Sequence, residues 1–384
     1  MKAGPDTRTA LVVSGGGARA AYEVGVLKAL RQMLPQPQAS PFSIYCGVSG
    51  GAINATSLAI GANDFGAGVD ALEAFWSDLH AGAVYRADPW SVAVSGGHWL
   101  AALSVGWLFG LAPRGLLDNG PLQRRLAGQL DFRNLKTVIA SQALRALSIT
   151  CSGYGSGQCV SFFQGRADLE PWQRVQRVGA HVALNIGHVM ASMAVPFLFP
   201  AVKLHREYFG DGAMRELAPL SPAVRLGAER ILVIGTGRMA AGEGDRSLSK
   251  AYPSLADISG HVLSGIYVDS LAADIERMSQ VNQLSAGISE EVRRREGLSW
   301  RPIDLLVIQP SERLDILAAR MASDLPWAVR MLLRGMGVRD TAGGAFASYL
   351  LFEARYIRHL IDLGYRDAMV RRSEITAFLD LDMA

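Results

Sequence analysis

The residues in this chain best placed to do chemistry are Gly47-Val48-Ser49-Gly50-Gly51, a G-x-S-x-G pentapeptide. An apolar run, Ile44-Tyr45-Cys46, precedes it and reads as the end of a buried strand. Ala52-Ile53-Asn54-Ala55-Thr56-Ser57-Leu58-Ala59 follows, small and apolar enough for a buried helix. A serine between glycines at a strand-to-helix junction is the pattern of a nucleophile elbow. Gly47 and Gly51 allow the tight turn, and the Ser49 hydroxyl projects toward a substrate. The N-terminus of the following helix favours negative charge developing at that point.

A second glycine cluster lies upstream. Residues 9–14 are apolar and partly β-branched, the pattern of a first buried strand. Gly15-Gly16-Gly17-Ala18-Arg19-Ala20 follows, and then a helical pattern over 21–34. Gly15, Gly17 and Ala20 fit a dinucleotide fingerprint, which also requires an acidic residue about twenty positions further on for the ribose. From Val24 to Asn63 there is no Asp or Glu, so that reading loses its second anchor. The same amides suit another anion: consecutive glycines can turn adjacent N–H groups toward one point, as an oxyanion hole requires. If the strands before the two glycine clusters lie side by side in a parallel sheet, Gly16 and Gly17 come near Ser49. Ligand sites collect at the carboxyl ends of such strands.

These residues need elements to position them. The pattern predicts helices over 69–79 and from 120, a hairpin of strands 146–154 and 158–163, and a helix over 177–193. It predicts short strands at 202–204 and 207–209 ending in Gly210-Asp211-Gly212-Ala213, where an aspartate between glycines suits an ordinary turn. Buried strands follow at 230–235 and 303–309, with polar residues 238–250 as a loop and 255–286 mainly helical. Residues 99–112 form the most apolar run, 14 residues, too short for a membrane span. It reads as a buried helix, or as a lipid-facing or substrate-channel segment. The basic-tinged stretch 355–372 reads as a surface helix. The organisation expected is α/β, a three-layer α/β/α arrangement with a mainly parallel central sheet. Residues 1–310 would form the main domain, and 311–384 a helical extension packed on it.

Composition narrows the function. The chain has 384 residues, 49% hydrophobic and 19% charged, slightly more apolar than usual for a globular protein. A net charge of +3 is too small to argue for nucleic acid as a partner. Its seven histidines lack zinc-type spacing, and Cys46, Cys151 and Cys159 are too few for a disulfide scaffold. The first residues lack the apolar core of a signal peptide, so the expected location is the cytoplasm, with peripheral membrane contact as an option.

Taken together, Gly15-Gly16-Gly17-Ala18-Arg19, Gly47-Val48-Ser49-Gly50-Gly51 and Asp211-Gly212-Ala213 resemble, in order and spacing, the motifs of the patatin-like phospholipases. The block Ala191-Ser192-Met193-Ala194-Val195-Pro196-Phe197-Leu198-Phe199-Pro200 resembles that family's segment before its catalytic aspartate. The resemblance covers residues 9–236 in pieces and extends to the strand at 303–309. It implies a lipid acyl hydrolase with Ser49 as nucleophile and Asp211 as its partner in a dyad. It puts the oxyanion hole at the backbone of Gly15, Gly16 and Gly17, with Arg19 close by. It implies a phospholipid or other lipid ester as substrate, and neither a metal nor another cofactor. Ala20 stands where the family commonly has glycine, and Ala213 where it often has a second one.

Two other functions are compatible with parts of the sequence. A Ser-His-Asp hydrolase would need His261 or His359 as its base, and neither sits in a recognisable strand-end loop. A non-catalytic lipid-binding protein would leave Ser49 unreactive.

Overall fold

The computed structural model describes residues 8–94, 96–98, 101, 115–237, 252, 254–296, 302–335 and 344–381. Nearly all of the apolar run at 99–112 and all of the loop at 238–250 lie outside the described residues. The strands are β1 (Thr9–Val13), β2 (Ile44–Val48), β3 (Ala146–Gly153), β4 (Cys159–Gly165), β5 (Trp172–Arg174), β6 (Arg177–His181), β7 (Val202–Leu204), β8 (Glu207–Asp211), β9 (Arg230–Ile234) and β10 (Asp304–Ile308). They join one sheet in the spatial order β10-β9-β1-β2-β3-β4-β6-β5, with β8 on β3 and β7 on β8.

The first five strands of that order run parallel. β1, β2 and β3 are buried along their whole length, as a parallel sheet covered on both faces requires. Alternation divides each strand between two cores. Leu11, Val13 and Tyr45 face α1 (Ala21–Met33), α2 (Gly50–Ile60) and α3 (Phe65–Ser77). Ala10, Val12, Ile44 and Cys46 face the other way, against Leu220, Ala223, Leu226 and Leu271. The result is a three-layer α/β/α protein. Its sheet is mixed overall, because β4 and β8 run antiparallel to β3 and β5 antiparallel to β6.

Two expectations fail. Residues 177–193 are not one helix: Arg177–His181 forms β6, paired with β4, and α4 begins only at Ile186 (Ile186–Ser192). Asn185 fixes that start, since its side chain accepts from the Gly187 amide at 2.9 Å. The periodicity across 177–193 thus joined a strand, held between β4 and β5, to a short helix. Residues 355–372 are also not a plain surface helix. That segment forms most of a long helix (Ala354–Val370) whose Tyr356, Ile357, Leu360, Ile361 and Gly364 are buried against α1.

The contact between this helix and α1 is close enough to exclude side-chain carbons. A Cβ on Gly364 would lie 2.1 Å from the Tyr22 carbonyl oxygen, and one on Gly25 would lie 1.9 Å from that of Ile361. Tyr22 donates to Asp367 at 3.0 Å across the same interface. Beneath α1 a polar network crosses the core. Asn54 of α2 donates to Glu23 at 2.7 Å and accepts from the Trp76 indole at 2.8 Å. Burial holds the Glu23 carboxyl well above the usual carboxylate range.

Gly364→Ala should force the two helices apart. Overpacking of this kind costs about 1–3 kcal/mol. We expect a clearly lowered Tm by calorimetry, and an unchanged Tm would show that the interface yields without cost.

Candidate active site

The sharp turn after β2 is built as the sequence implies. Ser49 sits at φ 53, ψ −128, a backbone conformation that L-residues with side chains rarely adopt, and α2 begins at the next residue. Its amide donates to the Ser192 hydroxyl at 2.9 Å, and Ser192 donates to the Thr150 carbonyl at 2.6 Å. α4 and β3 therefore grip the turn from one side. The glycines around Ser49 have no room for more. A Cβ on Gly47 would lie 2.6 Å from the Gly51 carbonyl oxygen, and one on Gly51 would lie 2.5 Å from that of Val13.

The upstream glycine run lies against this turn. A Cβ on Gly50 would fall 2.8 Å from the Gly17 carbonyl oxygen and 2.8 Å from Ala20 Cβ, so the elbow and the Gly15–Gly17 loop are in contact. The Ala20 methyl is accommodated because Gly50 presents no side chain to it. Gly16 (φ 152) and Gly17 (φ 56) take left-handed backbone angles, which turn successive amides in a way alanine could not adopt without strain. Thr236, just after β9, secures this loop: its hydroxyl donates to the Gly15 carbonyl, and its amide donates to Ser14 Oγ at 3.0 Å.

Arg19 points elsewhere. Its Nε donates to Ser348 at 2.7 Å and its Nη2 to the Ala345 carbonyl at 3.3 Å, and its guanidinium lies 4.3 Å from the centre of the Tyr349 ring. These partners belong to α5 (Gly344–Leu350). Its side chain is a clasp for that helix, and it brings its charge to α5 rather than into the glycine cradle.

Asp211 reaches the elbow through strand register. β2 pairs with β3 as far as Val48 opposite Thr150. β4 fills the other flank of β3 through Ser152, so β8, which pairs with Cys151–Gly153, must lie on the β2 flank, directly beyond the end of β2. Asp211 faces Cys151, one residue along from the partner of Val48. Gly212 packs into the gap: a Cβ there would lie 2.2 Å from the Thr150 carbonyl oxygen and 2.7 Å from a Val48 methyl. Asp211 and Ser49 are each 1% exposed, and the aspartate accepts from the Ala213 amide at 3.0 Å.

One acid near the site carries no motif. Glu216 is 6% exposed, beside a small cavity of about 20 Å³ also lined by Gly15, Gly47, Val48 and Ala213. Burial is the main cause that pushes its carboxyl up to about 8. Thr150 opposes the shift by hydrogen bonding, and the charges of Asp211 and Asp274 add to it. Glu216 is therefore mostly protonated at neutral pH.

The histidines lie in other roles. His188 Nδ1 accepts from the Asn185 amide at 3.1 Å in the cap of α4, and burial lowers its pKa to about 4. His181 stacks on Phe163, His359 lies 3.8 Å from Glu312, and His261 is exposed on the helix Leu255–Ser264. Among the described residues no three His, Cys, Asp or Glu side chains are grouped to hold a metal ion. The cysteines are free and buried, with Cys159 opposite Ser152 and Cys151 opposite Val160.

The residues that sequence reasoning missed are Ser192, Thr236 and Glu216. Ser192 lay inside the block 191–200, whose likeness to a family was visible but whose serine had no stated task. Thr236 and Glu216 offered no signal, because their positions depend on contacts made across the sheet.

The fold and the site thus define an α/β protein with a serine elbow, a glycine loop beside it and a buried aspartate delivered by an antiparallel strand. The family model described as Patatin-like phospholipase matches residues 11–224, and the chain belongs to that family, one of lipid acyl hydrolases. Among solved structures it is similar to VipD from Legionella pneumophila, with 14% identity and a TM-score of 0.34, over 96% of this chain and 67% of that one. It is also similar to human GIVD cytosolic phospholipase A2, solved with a methyl gamma-linolenyl fluorophosphonate inhibitor. There the identity is 12% and the TM-score 0.42, over 98% of this chain and 59% of that one. No curated protein matches.

Two measurements probe this geometry. Ser192→Ala leaves the buried Ser49 amide without its acceptor, at a cost of about 1–3 kcal/mol. We expect a lower Tm and a fall in ester turnover of roughly fivefold or more. Glu216, ordinarily near 4.5 but about 8 when folded, must take up a proton on folding between those values. A raised acid pKa means stability is greatest below the unfolded value and falls as pH rises toward about 8. Urea midpoints should therefore drop from pH 5 to pH 8, and Glu216→Gln should flatten that slope. A parallel slope in the variant would exclude Glu216 as the cause.

Proposed function

We propose that this chain hydrolyses carboxylic esters of lipids, phospholipids or lysophospholipids among them, through a dyad of Ser49 and Asp211. The observation that supports the reading is that β2 and β8 meet end to end on one flank of β3, with Asp211 opposite Cys151, one residue beyond the Val48–Thr150 pair. In the first step the Asp211 carboxylate takes the hydroxyl proton of Ser49 as Oγ attacks the ester carbonyl. The amides of Gly15, Gly16 and Gly17 hold the oxyanion. The alcohol leaves with the proton returned by Asp211, and an acyl-serine remains. Asp211 then takes a proton from water, whose oxygen attacks the acyl carbon. The carboxylic acid departs and Ser49 regains its proton.

A free aspartate is a weaker base than histidine by about 2.6 units, so such a dyad needs shelter from bulk water. The 1% exposure of Asp211 meets that need. In this reading residues 1–310 form the hydrolase unit and residues 311–384 a helical extension that braces it. The partner is a lipid surface touched from outside, and among the described residues no helix is long and apolar enough to cross a membrane.

Ser49→Ala and Asp211→Asn should each abolish nearly all turnover of p-nitrophenyl esters and phospholipids while leaving the circular dichroism spectrum unchanged. A fluorophosphonate probe should label the wild type and not Ser49→Ala. Wild-type turnover in either variant would sink the dyad. Absence of both turnover and labelling in the wild type would leave a lipid-binding protein.

A further inference from the structure

The β5–β6 hairpin carries a concentration of positive charge at the same end of the sheet as the elbow. Arg174 and Arg177 face each other directly across the two strands, so their side chains share one face. A third cation joins them. Arg225, at the end of the helix Ser221–Arg225, has its guanidinium held below the usual range by partial burial and by the charges of Arg174 and Arg177. Among the described residues, none of these three arginines forms an ion pair. Asp274 feels the charge of Arg177, but its carboxylate is buried, accepts from the Leu220 amide at 2.9 Å and pairs with Arg277 at 3.2 Å. Like charges directly opposite on a hairpin repel, and an external anion relieves that repulsion.

Register gives the position of this cluster relative to the elbow. Gly210, Ser152, Cys159, Arg177 and Arg174 occupy one row across β8, β3, β4, β6 and β5. Arg177 is thus three strand spacings from the residue next to Asp211, about 14 Å. Between the arginines, at the hairpin tip, Val175 is 89% exposed, and Gln176 turns the chain at φ 57. The segments flanking Asp211 expose apolar surface too: Phe197 is 71%, Leu217 64% and Tyr208 54% exposed. Positive charge beside exposed apolar side chains matches a surface of anionic headgroups over hydrocarbon. Nucleic acid fits less well, since the hairpin's Trp172 is already stacked on Phe163.

We propose that this hairpin tip docks on an anionic phospholipid surface, with Arg174, Arg177 and Arg225 meeting headgroup phosphates and Val175 entering the headgroup layer. The binding stands on these residues alone. Its use, bringing esters to Ser49, rests on the hydrolase reading above.

The full chain is sedimented with phosphatidylglycerol–phosphatidylcholine vesicles and with pure phosphatidylcholine vesicles, at low and raised salt, alongside a DNA duplex titration. The wild type should bind the anionic vesicles preferentially and release them as salt rises. Each arginine near such a surface is worth a factor of about five, so Arg174→Gln with Arg177→Gln should weaken partitioning roughly 20- to 30-fold. Arg225→Gln, on a helix and not on the hairpin, should weaken it roughly fivefold. Turnover of a soluble p-nitrophenyl ester should be unchanged in both variants, which also reports that they fold. Wild-type vesicle binding by the double variant, equal binding to neutral vesicles, or tighter binding to DNA than to anionic vesicles would overturn the proposal. Vesicle binding that persists in a wild type without ester turnover would strike the hydrolase reading and leave the docking surface standing.

Discussion

A serine at φ 53 and ψ −128 does not hold itself there; its surroundings must. Such a backbone costs of order 1–3 kcal/mol, and it survives only where packing leaves no alternative. Here the alternatives are closed by backbone touching backbone. Gly51 rests on the end of β1, Gly50 on the loop after it, and Gly212 on β3. None of these contacts would survive an added methyl group unchanged. The strained turn is thus fixed by three separate pieces of chain, and those same contacts bring the glycine loop and the β8 aspartate beside it.

The sheet order makes this economy possible. β1 lies between β9 and β2, so the loops leaving β1, β2 and β9 emerge side by side at one edge, and Thr236 can reach Gly15 from its neighbour. β2 stops at Val48 while β3 continues to Gly153, which exposes a length of unpaired strand on one flank. β8 fills it from the opposite direction. An antiparallel insertion at that point ends in Asp211, where a parallel strand would have to cross back over the sheet.

Much of this was legible in the sequence because it depends on local rules. The elbow, the glycine loop and the strands at 9–13, 44–48, 230–234 and 304–308 each follow from short-range pattern, and they lie where the pattern puts them, although the last is only partly buried. The family likeness added Asp211, which composition and spacing alone leave as a turn residue. What was illegible depends on partners far along the chain. β6 has no pattern of its own and exists because β4 pairs with it. The task of Arg19 is set by Ser348 and Ala345, more than three hundred residues away, so its place in a glycine motif gave no hint of its partners. The burial of the long C-terminal helix comes from two glycines, Gly25 and Gly364, whose mutual approach no periodicity reports.

The clasp between Arg19 and the helix Gly344–Leu350, and the Tyr349 carbonyl only 2.3 Å from where a Cβ on Gly17 would stand, make the glycine cradle lean on a wall supplied more than three hundred residues further along the chain. A substitution in that distant helix therefore reaches the loop beside the elbow through two contacts, one polar and one of backbone against backbone.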